Sequence, residues 1–366
     1  MKRILFLGDA GSSHLTKWVQ ALHGKYYKVG IFSLREPAAE IRDLEGLTIH
    51  VHQTDQAKFS ASFLSKFVYM FAVPALRKFV SEFKPDVIHA HYASSYGLMG
   101  ARLNFHPYII SAWGSDVFSF ADNQLGKLIL QYNFKKADAI LSTSYVMKDR
   151  VASFTSKPII VTPFGVDTHA FHPAKNHAPF FPQDAFVFGM VKSMEDIYGV
   201  SNVISAFHQL LQKGNECIRL LLVGSGTMME KYQAQCIELG IENYVHFAGR
   251  INHADVPKYH QMMDVFLNPS RMESFGVSVL EAMACGNPVI VTHVGGLKEI
   301  VQDQHNGLHV AVDDAADLAQ KMEMLLADEQ LRGKLAQQAL RDVHAQYSWE
   351  KSVEIMVKEV YQTYLK

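Results

Sequence analysis

With 366 residues, 48% of them apolar, the chain can bury cores for two or three domains, and no uncharged apolar run reaches the roughly eighteen residues of a membrane span. The three cysteines, Cys217, Cys236 and Cys285, are too few and too scattered to support a disulfide framework or a zinc knuckle. A formal charge of −1 conceals an opposed split, since residues 1–175 hold 20 Lys and Arg against 13 Asp and Glu (+7) and residues 176–366 hold 15 against 23 (−8); the basic half suits an anionic partner or membrane surface, and no nucleic-acid-binding module is present.

The first strand, KRILFLG, runs into GDAGSS, which lacks the G-x-G-x-x-G spacing of a dinucleotide loop. The opening MKRILFLGDAGSSH also turns polar too early for a secretory signal, so the protein is expected in the cytoplasm. Leu15, Trp18, Val19 and Leu22 recur at helical spacing, with Ser12 or Ser13 to cap that helix and Gly24 to end it. Trp18 reads as core, and His14 stands at the helix start. VGIFSL, LTIHV, PDVIHAH, PYIISAW, ADAILSTS and KPIIVTPF follow, separated by helical patterns; runs that stay apolar without alternating imply a parallel sheet covered on both faces. Residues 58–84 hold six Phe, five Lys or Arg and one Glu, a pattern that suits the face of an anionic membrane or, alternatively, a core helix with a polar back. His89 and His91 share one strand face, but a third metal ligand at suitable spacing is missing, and His89 reads as a packed core residue.

Residues 161–182 lose periodicity and carry four of the twelve prolines, as a linker does. A second series begins beyond it: AFVFGMVKS, IRLLLVGSG, YVHFAGR, DVFLNPS, NPVIVTHVGG and GLHVAV. Lys192 ends the first of these runs, and GSG at Gly224 reads as a tight turn after the second. The stretch after residue 315 is helical, with Val353, Met356, Val360 and Tyr361 on one stripe. The expected class is α/β, with two doubly wound Rossmann-like domains over residues 1–170 and 171–345 and a helix at 346–366 packing back on the first. Two such sheets facing across a cleft would bind ligands at the carboxyl ends of their strands.

The segment RMESFGVSVLEAMACGNPV puts Glu273 on the loop after a strand and Glu281 inside the following helix. Ser274, Phe275 and Gly276 deliver the backbone to the helix start. Gly276 allows close approach to a ligand, and the amides of Phe275, Gly276 and Val277, aided by the helix dipole, form a seat for a diphosphate. From about one turn in, Glu281 can accept two hydrogen bonds from a vicinal diol such as a ribose, while Glu273 meets the sugar end of a nucleotide sugar. A capping box made by Ser270 and Glu273 is the plainer alternative. A glycosidase pair does not fit, because one acid lies in the helix beside the phosphate seat and the two would not flank a sugar.

ESFGVSVLEAMACGNPVIVTHVGGLKEIV resembles the signature of the family 4 retaining glycosyltransferases of GT-B fold, E-x-FG-x-x-x-x-EAMA-x-G-x-PV followed by GG-x-x-EI. PDVIHAHYASSYG, SAWGSDV, TPFGVDTHAFHP, LLLVGSGTM and FAGRI stand in that family's order, so the resemblance covers nearly the whole chain. It implies transfer of a hexose-type sugar from a nucleotide-diphosphate donor to a glycan or lipid-linked acceptor with retention of configuration, in surface polysaccharide or lipopolysaccharide assembly at the inner face of the membrane. It also implies no bound metal and no resident cofactor, and the chain has no Asp-x-Asp pair, so side chains and helix dipoles are expected to neutralise the leaving diphosphate. Lys192 matches a basic residue against the donor phosphates; Tyr198 stands where the family has a second one. By the same resemblance Gly11 and Ser12 lie near the donor phosphate and acceptor, Gly224 and Arg250 belong to the donor side, and His91 belongs to the acceptor side. Trp113 replaces a His that contacts the donor sugar, and Asp116 is expected to bind a donor or acceptor hydroxyl or, alternatively, to be a simple turn residue. The leaving phosphate can itself deprotonate the acceptor, so Glu273, Lys192, Asp116 and His91 form the expected catalytic set without a protein base. A nucleotide-sugar epimerase, hydrolase or phosphorylase of the same fold, or a non-catalytic nucleotide-sugar binder, are the rival readings.

Overall fold

The computed structural model describes residues 1–53 and 68–365. Two compact units divide the chain: Met1–Pro163 with Ser352–Lys366, and Phe164–Lys351. The first contains β1 (Arg3–Leu7), β2 (Lys28–Ser33), β3 (Thr48–Val51), β4 (Val87–His91), β5 (Tyr108–Ala112), β6 (Ala139–Ser142) and β7 (Ile159–Val161) in the order β3-β2-β1-β4-β5-β6-β7. The second contains β8 (Phe186–Val191), β9 (Ile218–Val223), β10 (Val245–Gly249), β11 (Val265–Asn268), β12 (Val289–Thr292) and β13 (Leu308–Val310) in the order β10-β9-β8-β11-β12-β13. All pairings are parallel. Both sheets are doubly wound, with order reversing between β1 and β4 and between β8 and β11. The central strands are buried along their length, as in Ile4, Leu5, Phe6 and Leu7 of β1 and Val265, Phe266 and Leu267 of β11. Helices on both faces leave no place for polar alternation, which is why these strands are written as unbroken apolar runs.

The helix Ser13–Leu22 buries Leu15, Trp18, Val19 and Leu22 and ends on Gly24 at φ 73°, a left-handed conformation that costs glycine nothing. Ser12 occupies the cap position but makes no side-chain cap bond. Of the basic-aromatic stretch, residues 58–67 lie outside the described residues; the helix Val73–Phe83 buries Val73, Leu76, Phe79 and Phe83 and leaves Arg77 and Lys78 exposed, the arrangement of a core helix with a polar back. No helix among the described residues is long and apolar enough to cross a membrane.

The borders fall at 163/164 and 351/352 rather than at 170/171 and 345/346. A short bridge explains the shift: the Val166 amide donates to the Tyr347 carbonyl and the Trp349 amide to the Val166 carbonyl, both at 2.9 Å, so the start of the proline-rich stretch belongs with the second unit. Beyond it, Val353, Met356, Val360 and Tyr361 are buried within the first unit. There the Tyr361 hydroxyl meets His89 Nδ1 at 2.7 Å, and Ser111 Oγ meets His89 Nε2 at 2.7 Å, which makes His89 a core histidine with both nitrogens satisfied. Cys236 and Cys285 are buried, and burial pushes their thiols up to about 12, as befits structural residues.

Candidate active site

In the second unit the chain leaves β8 at Lys192 and β11 shortly before Glu273, on the two strands between which the sheet order reverses. Crevices at such points are where doubly wound sheets take ligands. The Lys192 ammonium donates to the Glu273 carboxylate, and the two side chains are only 14% and 11% exposed. The same ammonium lies 4.7 Å from the centre of the Tyr198 ring. Tyr198, standing where a second basic residue was looked for, offers an aromatic face to Lys192. Arg271 fixes the surroundings: its Nη1 donates to the Asp196 carbonyl at 2.7 Å and its Nε to Asp313 at 2.7 and 2.9 Å, tying the loop after β11 to the turn that carries Tyr198. Sequence spacing gives no sign of this clamp, because its partners are 75 and 42 positions away.

Gly276 precedes the helix Val277–Ala284 with φ 113°, and no side chain caps that helix. The Ser270–Glu273 capping box is not formed; Ser270 Oγ donates to Asn268 Oδ1 instead. Behind the loop, the Gly296 amide donates to the Glu273 carbonyl at 2.9 Å. A Cβ on Gly295 would stand 1.8 Å from that carbonyl, so the glycine lets one backbone lie against another. Gly224, at φ 135°, serves likewise: a Cβ there would stand 1.9 Å from the Lys192 carbonyl, which places GSG directly against the Lys192 main chain. Phe275 is buried and packs edge-on to Phe164 and Tyr347, so it anchors the loop by its ring, whereas Ser274 and Val277 are half-buried.

Glu281 is 5% exposed, with one carboxylate oxygen 3.7 Å from Nε2 of the fully buried His260. His260 was not marked by the sequence; it lies between Phe171 and Phe266, in a setting that looks like core until the carboxylate is seen. The Gly249 carbonyl, just before Arg250, accepts from the Gly224 amide at 2.9 Å, in the same turn that packs on the Lys192 main chain. Arg250 itself follows β10 at the sheet edge and lines a pocket of about 460 Å³ with Phe180, Asn252 and Tyr259.

In the first unit, the residues after β1, β2, β4 and β5 line a pocket of about 340 Å³ that includes Asp9, Ser12, Arg35, His91, Tyr92 and Trp113. The Gly11 amide donates to Asp9 Oδ1 at 2.9 Å, and Arg35 Nε lies 3.5 Å from Asp9 Oδ2, so the pocket's two charges offset each other. His91 is 1% exposed and stacks on His89 at 4.1 Å. Burial, and then the neighbouring His89, hold its pKa well below the ordinary histidine value, so the ring is neutral. Neither of its nitrogens, both buried, has a hydrogen-bond partner among the described residues. Trp113 lies 5.1 Å from His91 and 5.6 Å from His14. Asp116 is fully buried and accepts from the amides of Ala93 at 2.5 Å, Gly114 at 2.7 Å and Trp113 at 3.1 Å. Burial raises its carboxyl above the usual range against the pull of those amides. Asp116 thus joins the loops after β4 and β5. No cluster of three or more His, Cys, Asp or Glu suited to a metal occurs among the described residues.

Comparison with known proteins agrees with this architecture. Residues 173–342 match the family Glycosyl transferases group 1, and residues 3–144 match Glycosyl transferase 4-like. The N,N'-diacetylbacillosaminyl-diphospho-undecaprenol alpha-1,3-N-acetylgalactosaminyltransferase of Campylobacter jejuni is 26% identical over 93% of either chain. Sucrose-phosphate synthase from Thermosynechococcus elongatus superposes with a TM-score of 0.86 at 21% identity, covering 99% of both chains. HepE of Anabaena, solved with UDP and glucose, gives a TM-score of 0.80 at 18% identity, over 99% of this chain and 100% of that one. With two doubly wound units, strand-end residues in both, and a family match to each half, the chain belongs to the group 1 glycosyltransferases of GT-B type.

Proposed function

We propose that the protein moves a hexose-type sugar from a nucleotide-diphosphate sugar to a glycan or lipid-linked acceptor, with retention and without a metal ion, in surface polysaccharide or lipopolysaccharide assembly. The carrying observation is the mostly buried Lys192–Glu273 pair beside the uncapped start of Val277–Ala284. A cation and a helix start converge there on one strand-end crevice, which is chemistry suited to a diphosphate leaving group. In this reading Lys192 and the amides near Gly276 hold the diphosphate, Glu281 takes the ribose hydroxyls, and Glu273 orients the sugar. The first unit's pocket, with its offset charges and neutral His91, receives the acceptor. HepE, solved with UDP and glucose, supports the donor class, and the Campylobacter enzyme, named for a diphospho-undecaprenol substrate, supports a lipid-linked acceptor. The basic first half favours contact with an anionic membrane face.

The test is turnover of the full-length protein with UDP-, GDP- and ADP-sugars and lipid-linked or free glycan acceptors, reading linkage and anomeric configuration of the product. Activity is expected to survive chelation; loss of activity with EDTA and recovery with magnesium or manganese would overturn the metal-free reading. Glu281→Ala should raise the donor KM roughly tenfold or more, by removal of hydrogen bonds to a charged acceptor. A donor KM left unchanged would remove the ribose assignment. Tyr198 and Trp113, which depart from the family pattern, favour a non-catalytic nucleotide-sugar binder as the second reading; donor binding without transfer to any acceptor would select it.

A further inference from the structure

Lys192 and Glu273 are each other's partners, and both are largely withdrawn from water. The ammonium also faces the Tyr198 ring, and the loop under it is closed by the Gly224 turn packed against its main chain. Arg271, two residues before Glu273, is already held by Asp196 and Asp313, so it is committed elsewhere. An ammonium has only donors and a carboxylate only acceptors. A diphosphate that draws on Lys192 therefore competes with Glu273 for the ammonium's three donors and its charge, and sets a second anion beside the carboxylate.

We propose that Glu273 is an internal rival of the diphosphate for Lys192, and that this rivalry favours the sugar-bearing donor over the bare nucleoside diphosphate. The inference rests on the reading of Lys192 as the diphosphate's cation. A nucleotide sugar brings hydroxyls that donate to the carboxylate it has displaced. A bare nucleoside diphosphate has only its ribose hydroxyls, which Glu281 takes in this reading, so Glu273 gains no donor in exchange for its cation. Once the sugar has been transferred, Glu273 recaptures Lys192 and drives the product out. Glu273 thus sets specificity and product release as well as sugar orientation.

The experiment is calorimetric titration of full-length wild type, Glu273→Gln, Lys192→Ala and the double variant with UDP, GDP and ADP and with the matching nucleotide sugars, acceptor withheld. Glu273→Gln should bind the preferred nucleoside diphosphate about tenfold more tightly than wild type, the scale of a charge-assisted hydrogen bond no longer contested. Its binding of the nucleotide sugar should not tighten, so the preference for the sugar-bearing ligand shrinks by the same factor. Lys192→Ala should weaken diphosphate binding and cancel the gain from Glu273→Gln in the double variant. Unchanged or weaker diphosphate binding by Glu273→Gln overturns the proposal. If that variant fails to fold, Glu273→Asp, which withdraws the charge by one methylene, should bind the diphosphate two- to threefold more tightly, and no tightening is equally fatal. Failure of the wild type to bind any of the three diphosphates would instead sink the proposed function.

Discussion

Tyr198 shows how one side chain can modify the electrostatics of a site without carrying a charge. Its ring faces Lys192 at 4.7 Å, a distance at which an ammonium gains about 0.5–2 kcal/mol from an aromatic face. Tyr198→Leu should accordingly raise the donor KM about three- to tenfold with little change in kcat, and Tyr198→Phe should restore it; steady-state kinetics on the three proteins checks this, and equal KM values would show that the ring does not position the lysine. Sequence spacing reveals that Lys192 and Tyr198 stand near strand ends and that Glu273 precedes a helix. It cannot reveal that Lys192 pairs with Glu273, 81 positions away, or that Asp116 gives its carboxylate to three amides. Those facts belong to residues brought together by the fold, as does His260 behind Glu281.

Among the elements, the strands were the most legible, because a parallel sheet covered on both faces demands continuous apolar runs and each of the thirteen runs became a strand. The cap was less so: serine at the cap position of Ser13–Leu22 makes no side-chain bond, since nothing in a local pattern fixes the rotamer. The loops between elements hold the tightest constraint. Gly295→Ala would put a methyl group 1.8 Å from the Glu273 carbonyl, and the loop must yield at a cost on the order of 1–3 kcal/mol. A lower Tm together with weaker nucleotide binding is the expected outcome. Gly333, inside the helix Glu329–Gln346 with open space at its Cβ position, is the control: Gly333→Ala should raise stability by about 0.5–1 kcal/mol and leave nucleotide binding unchanged. If both substitutions prove equally mild, the close approach of the two loops is not a structural requirement.

For the whole molecule, His89 and His91 link stability to acid. Burial lowers the His89 pKa from 6.5 to about 3, and burial with His89 lowers that of His91 well below 6.5. Both rings are neutral in the folded chain, so above pH 6.5 the folded and unfolded states bind the same protons there and stability is full. As pH falls from 6.5 toward 3, the unfolded chain takes up protons that the folded one refuses, and stability drops by up to about 1.4 kcal/mol per pH unit per histidine. Urea unfolding at pH 7 and pH 5 should show this loss, and His89→Gln should make the slope shallower by about one such increment; the same slope in both proteins would mean that His89 does not carry the effect. The sign reversal of charge between halves was readable from composition, and the return of the last residues to the first unit was expected for 346–366; what only the fold supplies is the bond of Tyr361 to His89.

That return has a consequence for how the protein is made. Because Ser352–Lys366 completes the unit that Met1 begins, the ribosome releases the finishing piece of the earliest-started body only after the other has been wholly synthesised. Until Tyr361 emerges, His89 Nδ1 lacks the hydroxyl it meets in the folded chain, and Val353, Met356 and Val360 are missing from the core of the first unit, whose packing is therefore finished last.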